Sequence, residues 1–152
     1  MTSFHLWNLD LPVPSGWDAE NISLTPQGKL RPDDFLSNII INKGILGEDE
    51  TFEDYAKRSQ AALRNTLSDF ILIDEQSVDL GGCQARKLTY KFKANGALCK
   101  QMQCLILSGN QVVIFTATDA SNRFEPTRCT LEAMLAGLKV ENKNQPADTI
   151  WE

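Results

Sequence analysis

The sequence predicts an α+β domain, in which helices flank an antiparallel sheet of six or seven strands. Three observations support this class. Apolar and polar residues alternate in several short segments, as they do in half-buried strands. Residues that favour tight turns join these segments, so that consecutive strands form hairpins and pair antiparallel. Two further stretches repeat their apolar residues at the spacing of a helix.

Length and composition indicate one globular unit. A chain of 152 residues and 17.0 kDa is close to the usual size of one domain and can bury about two-thirds of its surface. Its apolar share of 42% and charged share of 23% are ordinary for a globular protein. We therefore expect a single domain over residues 1–140, followed by a polar tail over residues 141–152.

The first part of the chain is predicted to be extended. Phe4–Val13 is typical of an extended segment and ends near two prolines, which are rare in central strands. Asn21–Thr25 alternates polar and apolar residues, so Ile22 and Leu24 share one face of a short strand. A turn-rich stretch over residues 26–32 leads to the next strand.

The strand predicted over Phe35–Lys43 has two different faces. Ile39 and Ile41 point to one side. The alternate residues that point to the other side are Asn38, Ile40 and Asn42. The first side suits a core, whereas the second combines an apolar residue with two amides.

Two helices are predicted. Thr51 and Asp54 have the spacing of a capping box, in which each side chain bonds the backbone amide of the other residue. Apolar residues then recur at helical spacing as far as Leu67, which gives one apolar face. The second helix is predicted from about Pro126 to about Leu138, with a stripe of leucines and a methionine.

Four strands are predicted between the two helices. Asn95-Gly96 separates the second from the third and is a strong hairpin signal, because both residues tolerate a positive φ. The last strand contains Val112–Phe115, which is apolar on both faces, as expected of a central strand that is covered on both sides. The four strands are Phe70–Leu80, Gln84–Lys93, Leu98–Leu107 and Gln111–Thr118.

Charge and hydropathy argue against several classes of function. The 15 Lys and Arg residues and 20 Asp and Glu residues give a net charge of −5, so no nucleic-acid partner is expected, since phosphate binding needs a basic surface. No segment approaches the ~18 consecutive apolar residues of a membrane span. Met1–Asp10 lacks the pattern of a secretory signal. We therefore expect a cytoplasmic protein without stable membrane association.

Residues for catalysis or metal binding are few. His5 is the only histidine, and the sequence contains no nucleophile, phosphate-loop or zinc motif. The four cysteines lack metal or disulfide spacing, and we interpret them as reduced thiols that pack as small apolar residues. They are Cys83, Cys99, Cys104 and Cys129. The sequence thus predicts no enzyme activity, no catalytic residue, no metal site and no cofactor.

Amide side chains on otherwise apolar strand faces are the most informative surface feature. Gln101 and Gln103 share a face with Cys99 and Leu105, and Ile40 lies between two asparagines. A buried amide without a partner loses its hydrogen bonds to water, so such a face is reasonable when part of it is an open groove. The alternative is a simple alternation between core and solvent.

A row of lysines is the second surface feature. Lys87, Lys91 and Lys93 line one strand face together with Thr89. Such a row can bind an anion, but lysines on an exposed strand also prevent aggregation at sheet edges. Both interpretations stay open on the sequence alone.

Short motifs follow one another in a specific order along nearly the whole chain up to about Leu138. They are Leu11–Pro14 with Trp17, Asn21–Leu24, Ser37–Lys43, Phe52–Tyr55, Leu67–Phe70, Gly82–Ala85, Leu88–Tyr90, Gln103 and Val113–Thr118. In this order and spacing the sequence resembles the Eag (effector-associated gene) chaperones of bacterial type VI secretion, within the DcrB-like group of the PsbP/Mog1-type fold.

The resemblance implies a homodimeric, cytoplasmic chaperone without enzyme activity. Such proteins bind and shield the N-terminal transmembrane helices of a type VI secretion effector and help to load it onto the secretion spike. Carried over by position, the resemblance implies eight contacts with the effector helices. The apolar contacts are Ile22, Leu24, Ile40 and Leu63, and the hydrogen-bonding contacts are Asn38, Asn42, Ser59 and Gln103.

Two other functions remain open. A PsbP/Mog1-type adaptor would bind the surface of a folded protein partner rather than an exposed helix. An enzyme or small-ligand protein would use a pocket near the lysine row, although a chain with one histidine offers few ionisable groups for such a site.

Overall fold

The structure is a computed structural model that describes the backbone of residues 2–6, 9–13, 17–20, 23–26 and 37–140 and the side chains of residues 37–138. Its strands are β1 (Thr2–Leu6), β2 (Leu9–Val13), β3 (Trp17–Glu20), β4 (Ser23–Pro26), β5 (Asn38–Ile45), β6 (Ser68–Leu80), β7 (Cys83–Ala94), β8 (Ala97–Ser108), β9 (Gln111–Ala120) and β10 (Lys139–Val140). Its helices are α1 (Phe52–Thr66) and α2 (Phe124–Ala136), with a 3₁₀ turn at Ser121–Arg123.

One antiparallel sheet contains most of the described chain. Its strand order is β3-β4-β5-β9-β8-β7-β6. Five long strands, β5 to β9, form the body of this sheet, and the four-residue strands β3 and β4 extend it beyond β5. The α+β class and the antiparallel pairing are confirmed. The predicted six or seven strands are corrected to five long ones, because the N-terminal segments add only short pairs at one edge.

A smaller sheet has the order β1-β2-β10. The predicted extended segment Phe4–Val13 is divided here between the two strands of a hairpin. Pro12 lies within β2 opposite Ser3, beyond the part of β2 that pairs with β10, so the amide that proline lacks is not needed there. The sequence missed β3 and β10, since segments of four and two residues are too short to show an alternation.

The predicted helix cap, hairpin turn and first-turn proline are present in the structure. Thr51 caps α1: its Oγ1 accepts from the Asp54 amide at 3.0 Å, and the Asp54 carboxylate accepts from the Thr51 amide at 3.3 Å. Asn95 and Gly96 both have positive φ, at 53° and 79°, as the hairpin between β7 and β8 requires. α2 begins at Phe124, earlier than predicted, and Pro126 lies in its first turn, where a helix amide has no partner within the helix.

The helices cover opposite faces of the large sheet and give two cores. α2 packs on the face that carries Ile39, Ile41 and Phe115, and its own buried residues there are Phe124, Leu131, Met134 and Leu135. α1 packs on the other face, and its buried residues are Phe52, Tyr55 and Ala56. We call these the α2 face and the α1 face. The double-sided burial predicted for Val112–Phe115 is confirmed, since Val112 joins the α1-face core and Val113 and Phe115 join the α2-face core.

A buried carboxylate joins the start of β5, the end of β9 and the start of α2. Asp119 is fully buried, and its Oδ2 accepts hydrogen bonds from the Ser37 hydroxyl and, at 3.0 Å, from the Thr127 hydroxyl. Its Oδ1 accepts from the Ala120 amide at 2.7 Å and lies 3.9 Å from Arg123 Nε. These contacts fix the position at which β5 enters the sheet.

The four cysteines are free thiols, as predicted, but Cys129 is exposed and does not pack as a small apolar residue. Cys99 and Cys104 are buried in β8, and burial raises the pKa of the Cys104 thiol to about 12. Burial also raises the pKa of Cys83 and that of Cys99. Because the thiolate is the reactive form, these three cysteines are poor nucleophiles at neutral pH.

Candidate functional site

The α1 face contains a polar area that is only partly exposed to solvent. Paired residues of antiparallel strands lie on the same side of a sheet, and two such rows cross β5, β9, β8 and β7 here. The first row is Asn38, Thr118, Gln101 and Tyr90, and the second is Ile40, Thr116, Gln103 and Leu88. We define the amide strip as Asn38, Ile40, Asn42, Gln101, Gln103, Thr116 and Thr118.

The first row is linked by hydrogen bonds. The Tyr90 hydroxyl donates to Gln101 Oε1 at 2.5 Å, and Gln101 Nε2 donates to Thr118 Oγ1 at 2.8 Å. Burial raises the pKa of Tyr90, so the phenol stays protonated and remains a donor. Gln101 is therefore fixed by its neighbours on both sides.

Each row also contains one amide oxygen without a hydrogen-bond donor among the described residues. Gln103 Nε2 donates to Thr116 Oγ1 at 3.4 Å, while Gln103 Oε1 and Asn38 Oδ1 are shielded from solvent and have no hydrogen-bond donor among the described residues. Leaving a buried acceptor without a donor costs about 1–3 kcal/mol. The strip thus keeps two carbonyl oxygens that the described residues do not satisfy, and a donor from another molecule would reach them only if these amide side chains turned outward.

Ile40 provides the apolar part of the strip. Its side chain is 36% exposed, whereas Ile39 and Ile41 on either side of it are fully buried on the α2 face. Asn42 is also exposed, and Ile114, its pairing partner on β9, is half-buried against the α1-face core. An exposed isoleucine beside unsatisfied amides is the combination that the sequence predicted for an open groove.

α1 forms one boundary of this surface. A Cβ atom on Gly44 would lie 2.0 Å from the Tyr55 hydroxyl, so the Tyr55 side chain of α1 packs directly against β5 at this glycine. Burial then decreases along the helix: Phe52, Tyr55 and Ala56 are buried, whereas Ser59 and Leu63 are half-buried. The sheet-facing side of α1 is therefore least covered in its C-terminal half.

Six of the eight predicted contact residues lie among the residues whose side chains are described. Asn38, Ile40 and Asn42 share the α1 face of β5, Gln103 lies on the same face two strands away, and Ser59 and Leu63 lie on α1. All six residues therefore lie on the α1 side of the sheet. Their contact with an effector helix stays a prediction.

The two remaining predicted residues lie in the N-terminal part of the chain. Ile22 is outside the described residues. Leu24 belongs to β4, where its register position is opposite Ile39, while Ser23 is opposite Ile40. Leu24 therefore occupies the register position of the α2-face residue Ile39 and not that of Ile40, a difference that the alternation within Asn21–Thr25 could not reveal.

Sequence reasoning missed three polar members of the two rows: Thr116, Thr118 and Tyr90. The two threonines alternate with Phe115 and Ala117 in an apolar strand, where threonine is common for reasons of strand propensity alone. What distinguishes the two threonines is that they pair with Gln101 and Gln103 across β8 and β9. This pairing can be recognised only once the register of the two strands is known.

Replacing Gln103 by leucine is expected to leave the free energy of unfolding unchanged or to raise it by about 1 kcal/mol, since it removes an unsatisfied acceptor and keeps the apolar volume. Gln101→Leu is the matched control, and we expect it to lower the free energy of unfolding by about 1–2 kcal/mol, because it breaks two good hydrogen bonds. Urea unfolding of both variants measures the difference. Equal destabilisation would show that Gln103 is an ordinary structural residue.

Other kinds of site find little support in the described part of the chain. Residues 37–138 contain no group of three or more His, Cys, Asp or Glu side chains that could hold a metal ion. Neither helix in this range is both long enough and apolar enough to cross a bilayer. In the predicted lysine row, Lys87 Nζ is bonded to Glu132 at 2.6 Å, which ties β7 to α2.

Solved structures share this fold. PA94, a protein of unknown function from Pseudomonas aeruginosa, has a TM-score of 0.71 and 21% identity over 94% of this chain and 99% of its own. PsbP from the cyanobacterium Synechocystis has a TM-score of 0.59 and 14% identity over 88% of this chain and 87% of its own. The Ran-binding protein Mog1p from Saccharomyces cerevisiae has a TM-score of 0.60 and 13% identity over 91% of this chain and 94% of its own.

These identities show a common fold of the PsbP/Mog1 type and no more. No curated protein sequence matches the chain. The family model named DcrB matches residues 11–137, which is most of the sequence. The chain belongs to the DcrB family.

Proposed function

We propose that this protein is a chaperone without enzyme activity that binds and shields the N-terminal transmembrane helices of a type VI secretion effector and helps to load it onto the secretion spike. The amide strip is the proposed binding surface, and the C-terminal half of α1, with Ser59 and Leu63, is its wall. The observation that carries the proposal is the pair of unsatisfied oxygens, Asn38 Oδ1 and Gln103 Oε1, beside the exposed Ile40.

The chemistry of the strip suits a transmembrane helix. Such a helix satisfies its backbone internally, so a binding partner contributes apolar contact and hydrogen bonds to side chains. Ile40 supplies the apolar contact. Asn38 Oδ1 and Gln103 Oε1 are shielded in the free chain, and they can accept from serine or threonine hydroxyls on the helix once their side chains turn outward. In water, apolar helix surface is unfavourable by roughly 25 cal/mol per Å², which gives the reason for shielding it.

The proposed chaperone acts in the cytoplasm as a homodimer, with no cofactor, no nucleic acid and no stable membrane association. We expect light scattering at micromolar concentration to give twice the chain mass of 17.0 kDa. A dimer doubles the number of strips, so that two effector helices can be bound at once. A mass of 17.0 kDa at every concentration would count against this part of the proposal.

Co-expression tests the proposal. The probe is an effector fragment that contains the N-terminal membrane helices, encoded beside the gene for this chain, and its control is the same effector without those helices. We expect the helix fragment to move from the membrane and pellet fractions into a soluble complex when the chain is present. The control should not bind.

An adaptor for a folded partner is the second candidate. The observation in its favour is the fold shared with the Ran-binding protein Mog1p, although the two chains are only 13% identical. An adaptor would bind the effector that lacks its helices and would leave the solubility of the helix fragment unchanged. The two arms of the co-expression experiment therefore separate the two functions.

A further inference from the structure

The two halves of α1 are held to the sheet to different degrees. In the N-terminal half three side chains are buried, and the Arg86 guanidinium on β7 binds the carboxylates of Glu53 on α1 and, at 2.8 Å, Glu75 on β6. The Arg86 side chain is only 13% exposed, so this link lies close to the core. In the C-terminal half, Ser59 and Leu63 are only half-buried. A segment with fewer buried contacts opens at a lower free energy than the rest of the molecule.

The connection that follows α1 is irregular. Asp69 has a φ of 54°, in the left-handed region that few residues other than glycine adopt. The pairing register of β6 with β7 shifts twice between Ser68 and Asp74. Each shift interrupts the regular ladder of hydrogen bonds. This stretch can therefore change its path at a smaller cost than a regularly paired strand.

The C-terminal half of α1 and Phe70 cover part of β7. Leu63 and Phe70 pack against the α1-face core. The centroids of the Phe70 and Tyr90 rings are 5.1 Å apart, and the Arg64 guanidinium lies 4.9 Å from the centre of the Phe70 ring. Tyr90 and Leu88 of β7 are 0% and 2% exposed. These two side chains are thus hidden only as long as the end of α1 and Phe70 stay in place.

Leu88 and Tyr90 extend the amide strip by one strand. Leu88 pairs with Gln103 and Tyr90 pairs with Gln101, so they lie on the same face as the strip. Neighbouring strands are about 4.8 Å apart, so the strip on β5, β9 and β8 is about 10 Å across, and the addition of β7 makes it about 14 Å. A helix with its side chains is about 10–12 Å wide. The wider surface therefore accommodates a whole helix.

We propose that α1 is a hinged wall of the amide strip, which pivots about its fixed N-terminal half so that Leu88 and Tyr90 join the binding surface. The inference rests on the proposed function, since an apolar helix would then cover these two side chains again. From Tyr55 to Thr66 the helix is about 16 Å long, so a rotation of ~15° moves its end by about 4 Å. The closed wall thus competes with the bound helix, and a change that weakens the closed state strengthens binding.

Thiol labelling of the intact free chain tests the movement without an effector. Cys99 lies in the α1-face core and Cys104, on the same strand, lies in the α2-face core, and both are buried. We expect alkylation, assigned by mass spectrometry, to be about tenfold or more faster at Cys99, because opening of α1 leaves the α2-face core intact. Arg64→Ala, which removes the contact with Phe70, should raise the Cys99 rate and leave the Cys104 rate unchanged.

Two results of this labelling would overturn the proposal. Equal rates at Cys99 and Cys104 would show that α1 opens only when the whole chain unfolds. A Cys99 rate that does not respond to Arg64→Ala would show that the thiol is reached by another opening, such as fraying of the hairpin between β7 and β8.

Binding of the effector helix fragment tests the competition. Phe70→Ala should lower the melting temperature and yet bind the fragment about tenfold more tightly, since it weakens the closed state. Val78→Ala is the matched control, because it truncates another half-buried residue of β6 that packs on the α2-face core instead. We expect the control to lower the melting temperature without tightening binding.

Binding by Phe70→Ala that is no tighter than binding by Val78→Ala would overturn the proposal. Arg64→Ala repeats the comparison with little loss of stability, because Arg64 is exposed, and it should also tighten binding. If no variant binds the fragment while Cys99 still reacts faster than Cys104, the proposed function fails and the movement of α1 is supported.

Discussion

Replacing Ile40 by aspartate is expected to weaken binding of the effector helix fragment by about 100-fold or more. The substitution removes apolar contact worth roughly 1.5–3 kcal/mol and places a carboxylate where the bound helix would exclude water. Because Ile40 is partly exposed in the free chain, the free energy of unfolding should fall by less than about 1 kcal/mol. Titration of labelled fragment into the variant, with thermal unfolding in parallel, measures both quantities.

Ile45 offers a matched control on the same strand. It is 61% exposed, and its position in the alternation of β5 places it on the α2 side with Ile39 and Ile41. Ile45→Asp should therefore bind the helix fragment like the unaltered chain. If both variants bind normally, or if Ile40→Asp unfolds, the amide strip is not the binding surface.

Asp119→Ala is expected to lower the free energy of unfolding by about 3–5 kcal/mol, the largest effect among the substitutions discussed. Removing the carboxylate leaves the hydroxyls of Ser37 and Thr127 and the Ala120 amide without their acceptor in a fully buried place. For a chain of this size the melting temperature should fall by roughly 10 °C. Calorimetry or circular dichroism during heating measures the change.

Two further variants separate burial from charge. Asp74 is exposed and accepts only from Gln76 among the described residues, so Asp74→Ala should change the free energy of unfolding by less than about 0.5 kcal/mol. Asp119→Asn keeps one carbonyl acceptor, so its free energy of unfolding should lie between that of Asp119→Ala and that of Asp74→Ala. A melting temperature for Asp119→Ala equal to that of Asp74→Ala would contradict the role of Asp119 in joining β5 and α2.

Elements with strong local chemistry are those that the sequence predicts well. The capping box at Thr51 and the Asn95-Gly96 turn depend on neighbouring residues only, and both recur in the structure as hydrogen bonds and positive φ angles. The alternation around Ile40 is also local, and the burial of Ile39 and Ile41 confirms it. The unlike faces of β5 could thus be derived without knowing its neighbours.

The arrangement of the site depends on pairing between distant segments, which alternation does not encode. Asn38 and Gln103 share one surface only because β9 pairs with β5 on one side and with β8 on the other. The same limit explains why Leu24 was grouped with Ile40 although its register position is opposite Ile39. Local patterns determine which residues share a face within a strand, and long-range pairing determines which faces meet.

The most direct test of the proposed binding surface is photo-cross-linking from single positions of β5. A photoreactive residue at position 40 lies in the amide strip, whereas the same residue at position 45 lies on the opposite side of the sheet. With the effector helix fragment bound, position 40 should cross-link to a residue within a transmembrane helix, and position 45 should give no product. Equal cross-linking from both positions, or cross-linking from position 40 only to the folded part of the effector, would contradict the chaperone proposal.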